Sequence, residues 1–104
     1  MLPTHARVDV FTCAEEDQAQ LFDYMMRIAQ HLESVDECLY FIVSKEDNSP
    51  TKVWVTELWT SQEAHDGSLA DAPQELLDVI QRALQLVSDD RQRAWLTPVL
   101  AKGV

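Results

Sequence analysis

Three residues near the middle of the chain carry side chains suited to proton transfer and hydrogen bonding. Glu57 and Trp59 lie two residues apart in an alternating stretch, and His65 follows six residues later. A carboxyl group removed from water becomes a stronger base, and an imidazole exchanges protons near neutral pH. An indole N–H donates a hydrogen bond. These residue types make Glu57, Trp59 and His65 candidates for a catalytic group, with His65 as the best candidate for the acid or base.

Each of these residues also has a purely structural interpretation. Trp59 can fill the core where a strand meets a helix. Glu57 needs either solvent or a donor, and a helix N-terminus is one such donor. His65 lies alone on a short predicted helix, where a histidine often has a structural role. Residue type alone favours the structural interpretation for Trp59 and His65, and it leaves both interpretations open for Glu57.

Other polar side chains give weaker signals. Tyr24 and Tyr40 carry hydroxyl groups that can line a substrate pocket. The three histidines are scattered and form no ligand set, so we predict no metal site. Cys13 and Cys38 show no metal-binding spacing, and we expect both thiols to stay free. A glycine-rich phosphate loop and a nucleophile elbow are also missing from the sequence.

The first half of the chain predicts two strands separated by a helix, followed by a hairpin strand. The alternating residues 7–12 predict a strand, and Thr12 to Glu15 resemble a capping box. Apolar residues recur at helical spacing from Leu21 to Leu32. Residues 38–44 and 52–59 predict strands joined by a turn over 45–51.

The second half predicts two helices and a last strand. Residues 60–63 form another capping-box pattern and open a short helix through about Leu69. Residues 71–74 cap a longer helix whose apolar stripe runs from Leu76 to Val87. Residues 94–101 predict a final strand. The order β-α-β-β-α-β indicates an α+β fold with a ferredoxin-like sheet.

Both faces of the predicted sheet are apolar. Along residues 38–44, Phe41 and Val43 alternate with Tyr40 and Ile42. A sheet with helices on one face only is normally polar on its other face. We therefore predict a homodimer in which a second copy of the chain covers the open face.

Length and charge limit the class of function. The 104 residues predict a single domain over 1–104, with a core of about 7–100. The net charge is −10, which disfavours binding to nucleic acid or to an anionic membrane surface. The sequence shows no signal peptide and no apolar run long enough to span a membrane. We expect a cytoplasmic protein.

The stretch from Val53 to Leu69 resembles the antibiotic biosynthesis monooxygenase domain. That family has a strand ending in Glu-x-Trp, which falls on Glu57 and Trp59, followed by a short helix with His-x-x-Ser-Leu, which falls on His65 to Leu69. Residues 36–39 (Asp-Glu-Cys-Leu) stand where the family usually has Pro-Gly-Cys-Leu. The resemblance covers roughly residues 7–99.

This resemblance implies a dimeric α+β barrel with a pocket between each sheet and its helices. Characterised relatives oxidise quinols or aromatic polyketide phenols there with molecular oxygen, and they use no flavin, haem or metal. The resemblance therefore implies no cofactor, and a small aromatic substrate together with O₂. Haem-degrading relatives ligate iron through a histidine on the long second helix, and no histidine occurs between Pro73 and Ser88.

The chain also departs from the polyketide-oxidising relatives. Val55 replaces their Asn, and His65 stands at the position of their Tyr. Their Arg falls near Val79, with Arg82 three residues later on the same helix face, so we expect Arg82 in the substrate pocket. The retained residues favour a monooxygenase. The lost Asn and Arg favour the alternative, a non-catalytic dimer that binds a small molecule or serves in a stress response.

Overall fold

The structure, a computed structural model, describes residues 5–100 and Lys102. Within these residues the strands are β1 (His5–Thr12), β2 (Cys38–Lys45), β3 (Lys52–Trp59) and β4 (Gln92–Leu96), and the α-helices are α1 (Gln18–Leu32), α2 (Gln62–Ala70) and α3 (Gln74–Gln85). The strands form an antiparallel sheet in the order β2-β3-β1-β4. The predicted α+β, ferredoxin-like fold is confirmed.

One face of the sheet packs against the helices. Phe11 of β1, with Val53 and Val55 of β3, forms a buried cluster with Leu21 and Met25 of α1. Ala83 of α3 completes this cluster. The predicted apolar stripe of α1 therefore faces the sheet, as an amphipathic helix requires.

Leu21 is the most sensitive test of this packing, because its side chain is 0% exposed. We expect Leu21→Ala to lower the free energy of unfolding by about 2–5 kcal/mol through lost burial and the cavity left behind. Urea denaturation at a fixed protein concentration measures the change. Met26→Ala, on the same helix but 59% exposed, is the matched control. Equal losses in the two variants would show that α1 does not pack as described.

The other face of the sheet is apolar and open. It carries Tyr40 and Ile42 of β2, Trp54 of β3 and Leu96 of β4, all of them exposed hydrophobic side chains. The register pairs Tyr40 with Leu58, so their side chains share this face. The prediction that β2 is apolar on both faces is confirmed.

The predicted helix start at Thr12 is wrong. Thr12 still belongs to β1, and its Oγ1 accepts a hydrogen bond from Lys52 Nζ at 2.7 Å. A 3-10 turn over Glu15–Asp17 follows, and α1 begins only at Gln18. The capping-box pattern failed because the Thr12 hydroxyl bonds across the sheet rather than along the chain.

The other helix starts are close to the prediction. Ser61 is the N-cap of α2, and its Oγ accepts a hydrogen bond from the Ala64 N–H at 3.0 Å. Helix α3 follows Pro73 and ends at Gln85, so Val87, the last residue of the predicted stripe, lies beyond the helix. Val87 instead forms a β-bridge with Cys13. Pairing with the end of β1 competes here with a further helical turn.

The last strand lies nearer the N-terminus than predicted. The predicted strand covered 94–101, whereas β4 spans Gln92–Leu96 and pairs with β1. Residues 97–100 are not in a strand, and residue 101 lies outside the described residues. The charged stretch before Ala94 looked like a loop, but Arg93 pairs with Asp9 across the sheet, both in the strand register and through an ion pair.

The hairpin between β2 and β3 turns at Asn48, whose φ of 63° lies in the left-handed region that asparagine tolerates.

Cys13 and Cys38 are both free thiols. In the part of the chain that the structure describes, no helix combines the length and apolar character needed to cross a bilayer.

Candidate active site

A cavity of about 420 Å³ lies between the sheet and the helices. This volume lies within the range of small-molecule sites. Its apolar wall is contributed mainly by α1 and α3, with Met25, Ile28, Leu76, Ile80 and Leu84. Its polar wall is contributed by the sheet and α2. A ligand with an apolar ring and a polar edge fits this division.

Charged side chains from β1 and β3 form the polar wall. Arg7 and Glu57 are cross-strand partners, and Asp9 lies two residues along the same face of β1. Arg7 Nε lies 3.2 Å from Asp9 Oδ2 and 4.0 Å from Glu57 Oε2. Asp9 and Glu57 are 3% and 7% exposed. Buried charges are tolerated only with such partners.

Trp59 and Glu57 contact each other directly. Because they lie two residues apart on β3, their side chains share one face, and Trp59 Nε1–H donates a hydrogen bond to Glu57 Oε1 at 3.1 Å. Burial raises the pKa of the Glu57 carboxyl group, while the Trp59 hydrogen bond and the Arg7 charge partly oppose that rise. Glu57 is therefore a stronger base than an ordinary glutamate.

His65 lies on α2, about one turn beyond the Ser61 cap, and is 6% exposed. Its Nε2 is in hydrogen-bond contact with Arg7 Nη1, and its Nδ1 lies 2.9 Å from Asp66 Oδ1. A guanidinium group can only donate, so Nε2 must accept. The Nδ1–H then donates to the Asp66 carboxylate.

Two tryptophans hold the imidazole in place. The rings of His65 and Trp59 meet edge to face with centroids 5.2 Å apart, and those of His65 and Trp95 at 5.0 Å. Arg7 Cζ lies 5.5 Å from the centroid of the Trp95 ring. Such edge-to-face and cation–π contacts fix ring orientation. The imidazole is therefore positioned before any ligand arrives.

The structure brings together the three predicted catalytic residues, Glu57, Trp59 and His65, in this one cavity. Trp59 combines both interpretations offered above, since it is 1% exposed and also lines the cavity. Glu57 bonds to the indole of Trp59 rather than to a helix N-terminus. Their catalytic roles stay a prediction.

The three predicted pocket residues lie elsewhere. Tyr40 lies on the open face of the sheet, because the alternation along β2 turns it away from the helices. Tyr24 packs against the core cluster with Arg27 Cζ 5.9 Å from its ring centroid. Arg82 lines a separate cavity beside α1 and α3. The cavity that holds Glu57 does not include them.

The cavity residues that the sequence analysis missed include two on β1 and two on β4. Arg7 and Asp9 alternate with Val8 and Val10 along β1, and this charged face was an available signal. The other two, Arg93 and Trp95, lie on β4. Their partners depend on a strand pairing that the sequence does not reveal.

The Trp59 hydrogen bond makes a testable prediction about Glu57. We expect Trp59→Phe to raise the pKa of the Glu57 carboxyl group further, because the lost bond stabilised the ionised form. Carbon-13 NMR titration of the glutamate carboxyl groups measures this pKa. Trp54→Phe is the matched control, since Trp54 Nε1–H donates at the same 3.1 Å to Glu46, an exposed carboxylate. An unchanged or lower Glu57 pKa in Trp59→Phe would contradict the assigned bond.

Among the described residues, no group of three or more His, Cys, Asp or Glu side chains is arranged to hold a metal ion.

Comparison with known proteins identifies a matching family model and similar solved structures. The family model of antibiotic biosynthesis monooxygenases (ABM) matches residues 5–88. Among curated proteins, none matches the sequence. A candidate antibiotic biosynthesis monooxygenase from Deinococcus radiodurans is similar in structure, with 23% identity, a TM-score of 0.78, and coverage of 96% of this chain and 97% of that one. A candidate from Chloroflexus aurantiacus has 22% identity, a TM-score of 0.74 and the same coverage.

A further similar structure is a variant of SnoaB, a cofactor-independent oxygenase from Streptomyces nogalater. It has 15% identity and a TM-score of 0.80, with coverage of 98% of this chain and 99% of that one. At these identities the structural similarities establish the fold.

Proposed function

The chain belongs to the antibiotic biosynthesis monooxygenase family, and we propose that it oxidises a small phenolic, quinol or polyketide-like aromatic substrate with O₂ and without a cofactor. The observation that carries this proposal is the buried group of Glu57, Trp59 and His65 on the polar wall of an otherwise apolar cavity. The similar fold of SnoaB, a cofactor-independent oxygenase, supports it.

Glu57 is the proposed base. Its Oε1 accepts from Trp59. Within residues 5–100, Oε2 is paired only with the Arg7 guanidinium at 4.0 Å, and it can take a proton from a substrate hydroxyl. A buried carboxylate with a raised pKa is suited to remove a phenolic proton. The electron-rich phenolate then reacts with O₂ inside a cavity that limits access of water.

The proposed reaction balances without an external reductant. A phenol with a free ring position and one O₂ give a quinone and one water. One oxygen atom forms the new C=O bond at that ring carbon, and the other leaves as water with the ring hydrogen and the phenolic hydrogen. The substrate supplies all four electrons that O₂ accepts.

In this reaction Arg7 is proposed to stabilise negative charge, and His65 is proposed to take part in proton transfer. The Arg7 guanidinium faces the same cavity as Glu57 and stabilises negative charge that develops on the substrate and on reduced oxygen. His65 contacts Arg7 through Nε2 and can accept a proton there when that contact opens.

We further propose that the open sheet face seals a homodimer. The exposed side chains of Tyr40, Ile42, Trp54 and Leu96 form a patch of the kind that marks protein interfaces. We expect light scattering at micromolar concentration to give twice the 11.9 kDa mass of one chain. Ile42→Lys, which places a charge in this patch, should shift the mass toward one chain. A wild-type mass of one chain would contradict the dimer.

One observation favours the alternative, a non-catalytic module that binds a small molecule. Arg7 already forms ion pairs with both Asp9 and Glu57, as in a purely structural cluster. An oxygen electrode with a panel of reduced quinols and phenols separates the two functions. Uptake above the buffer rate that disappears in Trp59→Ala, with folding checked by circular dichroism, supports the enzyme. Tight binding without uptake supports the module.

A further inference from the structure

Arginine is concentrated at the cavity. The chain has five arginines and a net charge of −10, yet Arg7, Arg91 and Arg93 all line this one cavity. An anion is repelled by most of such a surface and attracted where positive groups cluster. The same cavity is also lined by Asp9, Glu57 and Asp66, so its lining is close to neutral, in contrast to the net charge of −10 on the whole chain. A negative ligand is therefore repelled less here than by an acidic surface.

Only part of this positive charge is used within the protein. Each oxygen of Asp9 is taken by one arginine, with Arg7 Nε at 3.2 Å from Oδ2 and Arg93 Nε at 2.8 Å from Oδ1. In residues 5–100 the ion pairs and hydrogen bonds of Arg93 involve Nε alone, so both Nη groups are unpaired there. Arg91 is exposed and, within the same residues, forms no ion pair or side-chain hydrogen bond.

The two arginines and Trp95 are arranged in order along one wall of the cavity. Arg91, Arg93 and Trp95 alternate along the edge strand β4 and its preceding residue, so their side chains follow one face. The Trp95 ring contacts His65, and Arg93 and Arg91 follow two and four residues before it along the chain. Successive side chains on one face are roughly 7 Å apart, which matches the length of an aromatic ring system.

This positive edge is a feature of the chain beyond its family match. Residues 91–95 lie outside the range 5–88 that the family model covers. A guanidinium group with free Nη atoms binds a carboxylate through two parallel hydrogen bonds. We propose that the aromatic ligand carries a carboxylate at the end remote from its hydroxyl group, bound by Arg91 and Arg93. This inference deepens the proposed function and rests on it for the position of the hydroxyl group.

Isothermal titration calorimetry with two matched probes tests the proposal. 6-Hydroxy-2-naphthoate has its hydroxyl and carboxylate at opposite ends of the ring system, and 2-naphthol lacks the carboxylate. In argon-purged buffer we expect the carboxylate probe to bind about tenfold tighter or more, the scale for a hydrogen-bonded charge. The double variant Arg91→Gln/Arg93→Gln should bring the ratio of the two affinities to about one.

The control and the single variant keep the test clear of folding defects. Arg27→Gln makes the same substitution at an arginine outside this cavity and should retain the preference. Arg91→Gln alone removes no ion pair or side-chain hydrogen bond within the described residues, and it should lose part of the preference for the carboxylate probe. Equal affinity for the two probes, including no measurable binding of either, overturns the proposal, as does an unchanged preference in the double variant.

Binding without oxygen separates this inference from the proposed function. A carboxylate preference with no oxygen uptake for any phenol would contradict the oxygenase and leave the carboxylate site standing. Oxygen uptake with neutral phenols and no carboxylate preference would contradict only the carboxylate site.

Discussion

Glu57→Gln is expected to lower kcat/KM by about 10²–10⁴-fold, the range for losing a general base. The substitution keeps the size of the side chain and an oxygen that can accept from Trp59 Nε1–H, but it removes the group that takes the substrate proton. Oxygen uptake with the most active phenol or quinol measures the effect. Circular dichroism and urea denaturation show whether the variant still folds.

Glu46→Gln is a closely matched control for this variant. Glu46 also accepts a hydrogen bond from an indole N–H at 3.1 Å, but it is exposed and does not line the cavity. We expect its kcat/KM to equal that of the wild type. A wild-type rate in Glu57→Gln, or an equal loss in the two variants, would contradict a catalytic role for Glu57.

The pH dependence follows from the raised pKa of Glu57. Because the ionised form is the base, we expect kcat/KM to fall as the pH drops through that raised pKa. Folding stability should depend on pH in the opposite sense. The folded state binds the proton more tightly than the unfolded chain, whose Glu pKa is about 4.3, so stability decreases as the pH rises through the folded-state pKa. Glu57→Gln should lack both dependences.

His65→Ala and His65→Gln are expected to lower kcat by about 10²-fold or more, the scale for losing a general acid or base. Alanine leaves Arg7 Nη1 without its acceptor and opens space between Trp59 and Trp95. Glutamine offers an oxygen that can accept from Arg7 but does not exchange protons near neutral pH. We therefore expect His65→Gln to keep KM close to the wild-type value and His65→Ala to raise it.

The stability of the two variants separates catalysis from structure. His65→Ala removes the acceptor of a buried donor and should cost about 1–3 kcal/mol of unfolding free energy, whereas His65→Gln should cost less. Gln62→Ala, at an exposed position on the same helix, is the control. Turnover at the wild-type rate in His65→Ala would show that the histidine has only a structural role.

The fold could be predicted because its signals are local and repeated. Leu21 and Met25 recur at helical spacing on α1, and both are buried against the sheet. The alternation along β2 identified Tyr40 as a residue of one face and Phe41 as a residue of the other. The periodicity of apolar residues and the order of strands and helices together are enough to predict a sheet of this kind.

The site could be predicted only where its residues are close in sequence. Glu57, Trp59 and His65 lie within one strand and the helix that follows, so one motif finds all three. Arg93 and Trp95 reach the cavity through the pairing of β4 with β1, between residues more than 80 positions apart. No local pattern reports such a contact.

Arg82 lies outside the cavity that holds Glu57, and the sequence did not indicate this for a related reason. Its position on one face of α3 was predicted from helical spacing, but the spacing does not say which cavity that face borders. Packing against the sheet is set by Ala83, the buried residue of α3, and Arg82 borders the cavity beside α1 instead.

The most direct test of the proposed oxygenation is a reaction under isotopically labelled O₂ in unlabelled water, using chelator-treated enzyme and the most active phenol. Rapid quenching by reduction of the quinone prevents its carbonyl oxygen from exchanging with water before mass spectrometry. We expect one labelled oxygen atom per product molecule with the wild type. With Glu57→Gln we expect labelled product to form no faster than in buffer alone. Unlabelled product, or equal rates of labelled-product formation by the two proteins, would contradict the proposed oxygenation.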